Sequence, residues 1–297
     1  RSGRRASVVS ASPIGAPAAA PPLPVVLIGF GAIGGTVWRL LSESPGQVRL
    51  AGLLLRDAPA RDRPGFAQAA ACGVPVAASL QPLLPASADP GQPRALVVEC
   101  AGHDAVDRYG LDSLETGCDL MVVSSGALAD ASRLDRLLAA ARAAGRQLIV
   151  PAGAIGGLDI LGAARMAGLH EVRYRSRKPP AAWMGTPAQE LLDLAALREA
   201  TVFYQGDARA AARDYPRNAN VVATLALATV GFEQTRVELV ADPGATGNFH
   251  EIDAQGVSGS ISLRIEGLAT PANPRTSMIT AFSVARAVLD RRQALVI

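Results

Sequence analysis

Val25-Val26-Leu27-Ile28-Gly29-Phe30-Gly31-Ala32-Ile33-Gly34 decides how this chain folds. Its opening apolar run has the length of a buried strand, and the residues from Ile33 onward carry apolar side chains at helical spacing. Between strand and helix stands Gly29-Phe30-Gly31-Ala32-Ile33-Gly34, a complete G-x-G-x-x-G. In that setting the motif is a dinucleotide fingerprint. Its glycines leave backbone N–H groups bare at the positive end of a helix dipole, where a pyrophosphate binds. The pentapeptide Gly31-Ala32-Ile33-Gly34-Gly35 recurs as Gly153-Ala154-Ile155-Gly156-Gly157, after the apolar run Leu148-Ile149-Val150 and before another helical stretch. The recurrence is compatible with chance in an Ala/Gly-rich chain and with a second functional turn at a domain junction.

Working outward, apolar strands alternate with helical segments. The pattern predicts strands at 25–29, 49–55, 95–100, 119–123 and 147–150, with helices at 33–43, 66–72, 104–116 and 130–144. Strands separated by helices indicate a parallel sheet with right-handed crossovers, a doubly wound Rossmann-type α/β domain. After Gly157 the texture changes. Five strands are expected at 170–177, 200–205, 235–241, 248–255 and 259–266. The short link Gly256-Val257-Ser258-Gly259 makes part of their sheet antiparallel. Helices are expected at 157–167, 187–195 and 218–229. Pro271-Ala272-Asn273-Pro274 interrupts the chain before a last helix near 275–290, which returns to the first domain. The expected organisation is therefore an extension over 1–23, a dinucleotide-binding domain over 24–152 completed by 275–297, and a substrate and oligomerisation domain over 153–274. That second domain is α+β with a mixed sheet.

Composition narrows the function. The chain has 297 residues, 49% of them apolar, enough for two cores. No apolar run is long and charge-free enough to span a bilayer, so a soluble protein is expected. The net charge of +3 equals the three arginines among the first five residues, which leaves the remainder near neutral and gives no nucleic-acid surface. Cys72, Cys100 and Cys118 lack C-x-x-C spacing and lie in or beside apolar segments. They read as reduced packing residues of a cytoplasmic protein, with no metal site. Of the 29 basic residues only Lys178 is a lysine. An ammonium is a compact charge that can lose its proton when desolvated, whereas guanidinium cannot.

Several residues carry potential chemistry. At the end of a second nucleotide-fold strand an acidic side chain favours NAD and an arginine accommodates the 2′-phosphate of NADP. Arg56 and Asp57 stand there together, so the coenzyme is NAD or NADP, and a solvated turn pair is the competing reading. The loops after the next two strands, around Ala101 and Ser124, border the cofactor if ligands bind beyond carboxyl strand ends. Ser124 and Ser125 also suit a helix start. His250 follows the turn Asp242-Pro243-Gly244-Ala245-Thr246-Gly247 and opens a strand, with Ile252 on its own face and Phe249 and Glu251 on the other. Imidazole titrates near neutrality and suits a general base, although a lone histidine is more often structural. His103 fits a helix start and His170 a helix-to-strand junction. Asn220 reads as a helix cap, or as an amide able to hold a ribose or a carboxamide.

Taken together, Gly29–Gly35, Val98–Gly102, Ser124–Leu128, Pro151–Leu158, Lys178-Pro179-Pro180 with Trp183, Gly185, Thr186 and Pro187, Asn218–Leu227 and Ala241–Ile252 resemble the L-aspartate dehydrogenase family. The resemblance runs from about residue 25 to the C-terminus. It implies that His250 is the active-site histidine, that Asn220 and Ala154 contact NAD, and that Gly29, Gly31, Ala32, Ile33 and Gly34 form the pyrophosphate loop. The implied reaction is oxidative deamination of L-aspartate through iminoaspartate, which in this family can feed NAD biosynthesis. Lys178 is expected to hold a substrate carboxylate or take part in proton transfer. A homodimer is expected by analogy with other two-domain dehydrogenases. The rivals are a reductase of the dihydrodipicolinate reductase or homoserine dehydrogenase type and a phosphorylating aldehyde dehydrogenase with Cys100 as nucleophile. An NAD(H)-sensing protein without turnover is the non-enzymatic alternative. The first rival carries a His-His…Lys signature and a Ser-Gly-Thr-Ala turn that this chain lacks.

Overall fold

The computed structural model describes residues 21–56, 65–84, 93–270 and 273–297. Most of the expected extension, Asp57 and the dipeptide Pro271-Ala272 lie outside them. Leu23, expected to end the extension, already belongs to the first strand.

The first half of the chain alternates strictly. In order it runs β1 (Leu23–Ile28), α1 (Ala32–Ser42), β2 (Val48–Leu54), α2 (Phe66–Ala71), β3 (Val76–Ala77) and β4 (Leu96–Glu99), then α3 (His103–Glu115), β5 (Asp119–Val122), α4 (Ala131–Ala144) and β6 (Leu148–Ile149). The six strands form one sheet in the order β3-β2-β1-β4-β5-β6, and every pairing is parallel. The order reverses direction between β1 and β4, which opens a crevice at their carboxyl ends, the usual ligand position in such sheets. Successive residues of β1 serve opposite faces. Val25 and Leu27 pack with Val37, Trp38 and Leu41 of α1, while Val26 and Ile28 pack with Val106, Leu120 and Leu137. A strand buried on both faces needs an unbroken apolar run, which is what β1 has.

The second half contains α5 (Leu158–Gly168), β7 (Leu169–Lys178), α6 (Ala188–Leu191), β8 (Thr201–Asp207), α7 (Ala208–Asp214) and α8 (Ala219–Ala228). It continues with β9 (Thr235–Ala241), β10 (Asn248–Gly256), β11 (Gly259–Gly267), β12 (Ala269–Thr270), β13 (Asn273–Ser277) and α9 (Ile279–Leu289). A five-stranded mixed sheet has the order β11-β10-β7-β9-β8, with β7 and β9 parallel and the other pairs antiparallel. Its inner face carries Val172, Tyr174, Val237, Leu239 and Ile252 against the helices α5, α7 and α8. Its outer face carries charge, with Arg175–Glu238 at 2.6 Å and Arg177–Asp242 at 3.1 Å. The chain then returns: Ala281, Val284, Ala285 and Val288 of α9 join the core on the α1 side of the first sheet. The fold is thus a Rossmann-type parallel sheet followed by a mixed-sheet α+β unit.

Four local expectations change. The helix expected over 187–195 is one turn, because Leu192 turns extended (φ −134°) and the residues beyond it, Leu194 and Leu197, reach the core. The helix α7 was not expected, although Asp207 caps it by accepting from the Ala210 N–H at 2.8 Å. The two-residue edge strand β3 is too short to leave a pattern. The last helix starts at Ile279 rather than 275, because Asn273–Ser277 pairs with β12 as a hairpin.

Candidate active site

Two cavities open along the carboxyl ends of the parallel strands. The first, about 710 Å³, is lined by Gly29, Phe30, Gly31, Arg56, Ala101 and Arg108, among others. The second, about 450 Å³, is lined by Ile33, Ser124, Gly153, Ala154, Lys178, Asn218, Asn220, Asn248, His250 and Ser277, among others. Ala101 borders one and Gly102 the other, so the two adjoin along the β4–α3 link.

Each glycine of the first turn has a distinct physical reason. Gly29 has φ +90°, and a Cβ there would stand 2.8 Å from Cβ of Ala101. At Gly34 a Cβ would stand 2.3 Å from the carbonyl oxygen of Gly29, so this glycine lets α1 lie directly on the end of β1. At Gly31 a Cβ would meet no protein atom within 4 Å. Packing does not require a glycine at 31; bare backbone there faces the cavity. Ala32 opens α1, whose N-cap is Gly31. A turn that is bare on its cavity side and tight on its protein side fits a pyrophosphate at a helix start.

Glu99 organises the neighbouring loops. It is 1% exposed and accepts from the backbone N–H groups of Ala101 (2.6 Å), Gly102 (2.8 Å) and Ser124 (3.0 Å), and from the Ser124 hydroxyl (2.9 Å). The Ala101 N–H and the Ser124 side chain are thereby committed to the protein. Burial, reinforced by this carboxylate, pushes the Cys100 thiol well above its ordinary pKa. A thiol held in that form is a poor nucleophile, which speaks against the aldehyde dehydrogenase rival.

The second cavity draws on both sheets. On β7 the inward residues are Val172, Tyr174, Ser176 and Lys178; on β10 they are Asn248, His250, Ile252 and Ala254. Pairing sets Ser176 opposite His250 and Tyr174 opposite Ile252. The Tyr174 Oη lies 2.8 Å from His250 Nδ1, with the two rings stacked at 6.0 Å. Burial first, and the Lys178 cation second, push the imidazole down to about 3. Burial pushes the Tyr174 phenol well above its usual range, so it keeps its proton. Lys178 donates to Asn218 Oδ1 at 2.7 Å and lies 5.2 Å over the Trp183 ring.

The helix α8 joins the sheets. Asn220 is its second residue, and the N-cap position is Asn218. The Asn220 Oδ1 accepts from the Gly126 N–H at 3.0 Å, and Ser125 Oγ contacts Asn220 O and Thr224 Oγ1. Asn220 therefore pins α8 to the end of β5 instead of capping its own helix. The second glycine turn lies across the cavity, with φ +67° at Gly153 and its N–H donating to Ser283 Oγ of α9 at 3.0 Å.

Residues 29–151 match the family described as homoserine dehydrogenase, NAD binding domain, and residues 159–291 match aspartate dehydrogenase, C-terminal. The L-aspartate dehydrogenase of Cupriavidus necator is 44% identical over 273 residues, which are 92% of this chain and 99% of its own length. The chain belongs to the L-aspartate dehydrogenase family. The Pseudomonas aeruginosa L-aspartate dehydrogenase is 42% identical with the same coverage of both chains. The crystal structure of a Thermotoga maritima aspartate dehydrogenase superposes with a TM-score of 0.69 at 27% identity, covering 93% of this chain and 99% of that one. The family match makes the cofactor NAD or NADP.

Placed in this family's fold, the residues singled out from sequence divide between the cavities. Gly29, Gly31, Arg56 and Ala101 line the first; Ile33, Ser124, Ala154, Lys178, Asn220 and His250 line the second. Gly34 lies beneath the turn, and Asp57 lies outside the described residues. Sequence reasoning assigned no role to Glu99, Tyr174, Asn218 or Ser277. Only Tyr174 carried a usable signal, its period-two spacing with Ser176 and Lys178 on one strand. Among the described residues no group of three or more His, Cys, Asp or Glu can hold a metal ion, and no helix is long and apolar enough to cross a membrane.

Proposed function

We propose that this chain catalyses oxidative deamination of L-aspartate: aspartate, NAD(P)+ and water give oxaloacetate, ammonium, NAD(P)H and a proton. The observation that carries this reading is the meeting of Lys178 and His250 in one cavity that adjoins the glycine turn. Gly29, Gly31 and the start of α1 would hold the pyrophosphate; Ala154 and Asn220 would flank the nicotinamide. When bound, the nicotinamide accepts the hydride from the substrate Cα.

The protein's own groups position and deprotonate. Lys178 supplies a cation for a substrate carboxylate. The substrate amine must be neutral before hydride leaves Cα; His250 takes that proton, releases it to solvent and, neutral again, activates water against the imine. For Nε2 to accept, Nδ1 must carry the ring proton and donate to the Tyr174 oxygen, which stands 2.8 Å away and holds the ring in place. We extend the proposal to a division into 24–152 with the C-terminal helix and 153–274, to a homodimer formed through the charged outer face of the mixed sheet, and to a cytoplasmic setting. The unpaired thiols of Cys72, Cys100 and Cys118 support the last. Sedimentation measures the dimer directly, and a monomer at micromolar concentration would refute it.

The central test is His250→Ala. Turnover of aspartate, followed by absorbance of reduced cofactor, should fall about a hundredfold or more, while NADH binding by fluorescence stays within about twofold. Normal turnover in that variant would overturn the assignment of the base.

A further inference from the structure

Among the described residues, four buried side-chain polar atoms have no hydrogen-bond partner: Arg177 Nε, Asn218 Nδ2, Ser277 Oγ and Arg292 Nε. Two of them belong to Asn218 and Ser277, residues that line the cavity holding Lys178 and His250. The arginine atoms need no ligand to explain them, since other nitrogens of both guanidinium groups are bonded. A buried donor left without a partner is costly, and such groups in a native structure call for an explanation.

The orientation of Asn218 follows from its neighbour. An ammonium only donates, so the amide oxygen must face Lys178, as the 2.7 Å contact shows, and the NH₂ group must face away. A flipped amide would set NH₂ against NH₃⁺. Asn218 therefore holds two donor hydrogens, for which the protein supplies no acceptor, within a few ångströms of a cation. The chemistry that completes such a pair is an anionic oxygen, as in a carboxylate. The position of Ser277 follows from its neighbours. A Cβ added at Gly267 would stand 2.8 Å from its hydroxyl, and Gly267 pairs with Asn248, two residues before His250 on the same strand. Its hydroxyl thus stands at the entry of β10, near the inward residues of that strand.

We infer that Asn218 Nδ2 and Ser277 Oγ are substrate-binding donors that, with Lys178, make the cavity selective for a dicarboxylate. This rests on the aspartate reading and adds to it the groups that set selectivity. Because neither donor is used within the protein, its removal costs the empty fold nothing. Ser277→Ala should leave the Tm of the free protein unchanged or slightly higher, and raise KM for aspartate about tenfold with KM for the cofactor unchanged. Asn218→Asp keeps an oxygen partner for Lys178 but replaces the donor with a negative charge. It should preserve Tm while raising KM for aspartate about a hundredfold. Binding is read independently by the rise in Tm that succinate, a dicarboxylate lacking the reacting amine, produces with NADH present. The wild-type protein should show that rise and both variants should lose most of it. If the wild type neither oxidises aspartate nor responds to succinate, the aspartate reading and this inference fail together. If the wild type does both and the variants match it, this inference alone is overturned. Variants whose Tm falls in the free state would likewise overturn it, because the two groups would then serve the fold.

Discussion

Gly31 and Gly34 share one motif but should respond oppositely to the same substitution. In Gly34→Ala the new methyl would lie 2.3 Å from the carbonyl oxygen and 3.1 Å from the carbonyl carbon of Gly29. Both atoms are backbone, so α1 must lift from β1 by about 1 Å to restore ordinary contact. Overpacking of this kind costs about 1–3 kcal/mol, and the better helix propensity of alanine returns about 1 kcal/mol. A net loss of up to about 2 kcal/mol lowers the Tm of a domain of this size by up to roughly 8 °C. In Gly31→Ala the methyl meets no protein atom within 4 Å, and the backbone, at φ −80° and ψ −161°, suits alanine. The free protein should keep its Tm or gain about 1–2 °C through reduced chain entropy in the unfolded state. The methyl instead occupies the space into which a pyrophosphate must come, so NADH affinity should fall at least about tenfold. Calorimetry of the free protein and fluorescence titration with NADH give the two readouts. If Gly31→Ala binds NADH normally, the bare face of the turn is not the anion site. If Gly34→Ala raises Tm, the steric argument is wrong.

Three further outcomes follow from the second cavity and the ribose end of the first. His250 titrates near 6.5 when unfolded and near 3 when folded, so between those values the unfolded chain binds the extra proton and stability falls as pH drops. From about pH 7.5 to about pH 5.5 this one group should remove about 1.4 kcal/mol, read as the denaturant-unfolding difference between wild type and His250→Gln; parallel profiles would show that the imidazole is not desolvated. Tyr174→Phe removes the partner of Nδ1 and should lower kcat about tenfold with cofactor binding unchanged, and an unchanged kcat would show that the phenol does not position the imidazole. Arg56→Ala should weaken NADPH binding about tenfold and NADH binding little, by fluorescence titration; equal losses would remove Arg56 from the 2′-phosphate site.

The two halves of the site differed in how far they could be read from sequence, and the reason is physical. The cofactor cradle is made of backbone over six consecutive residues. Its requirements, a strand before, glycines at the turn and a helix after, are local and leave a local pattern. The substrate half is made of side chains from separate elements: Lys178 and Tyr174 on β7, His250 on β10, Asn218 before α8 and Ser277 at the end of β13. Each of these residues has an ordinary local excuse. Asn218 and Asn220 look like helix starts, and Ser277 falls in the first turn of the expected last helix. Their convergence depends on the register of β7 against β10 and on the return of the chain after β13, and neither leaves a period in the sequence. Asn220 shows the point sharply. Its position suggested a cap, yet its amide oxygen is used across the interface by Gly126.

The electrostatics of the second cavity tie selectivity to catalysis. An imidazole held near 3 is neutral at physiological pH but only weakly basic, and the Lys178 cation contributes to that weakness. Any anion seated against Lys178 offsets its field at His250, and a second carboxylate in the same enclosed space adds to the effect. A dicarboxylate must therefore raise the basicity of His250 more than a monocarboxylate of the same length. The group that removes the substrate's proton is strongest when the substrate carrying both charges is present, so discrimination appears in kcat as well as in KM. A lysine serves this arrangement better than an arginine. Its compact ammonium fits between the Asn218 oxygen and the Trp183 ring, whereas a planar guanidinium would spread its charge and its donors over the space the second carboxylate needs. In a chain that otherwise uses arginine for every cation, that is a physical reason for the single lysine to stand at this position.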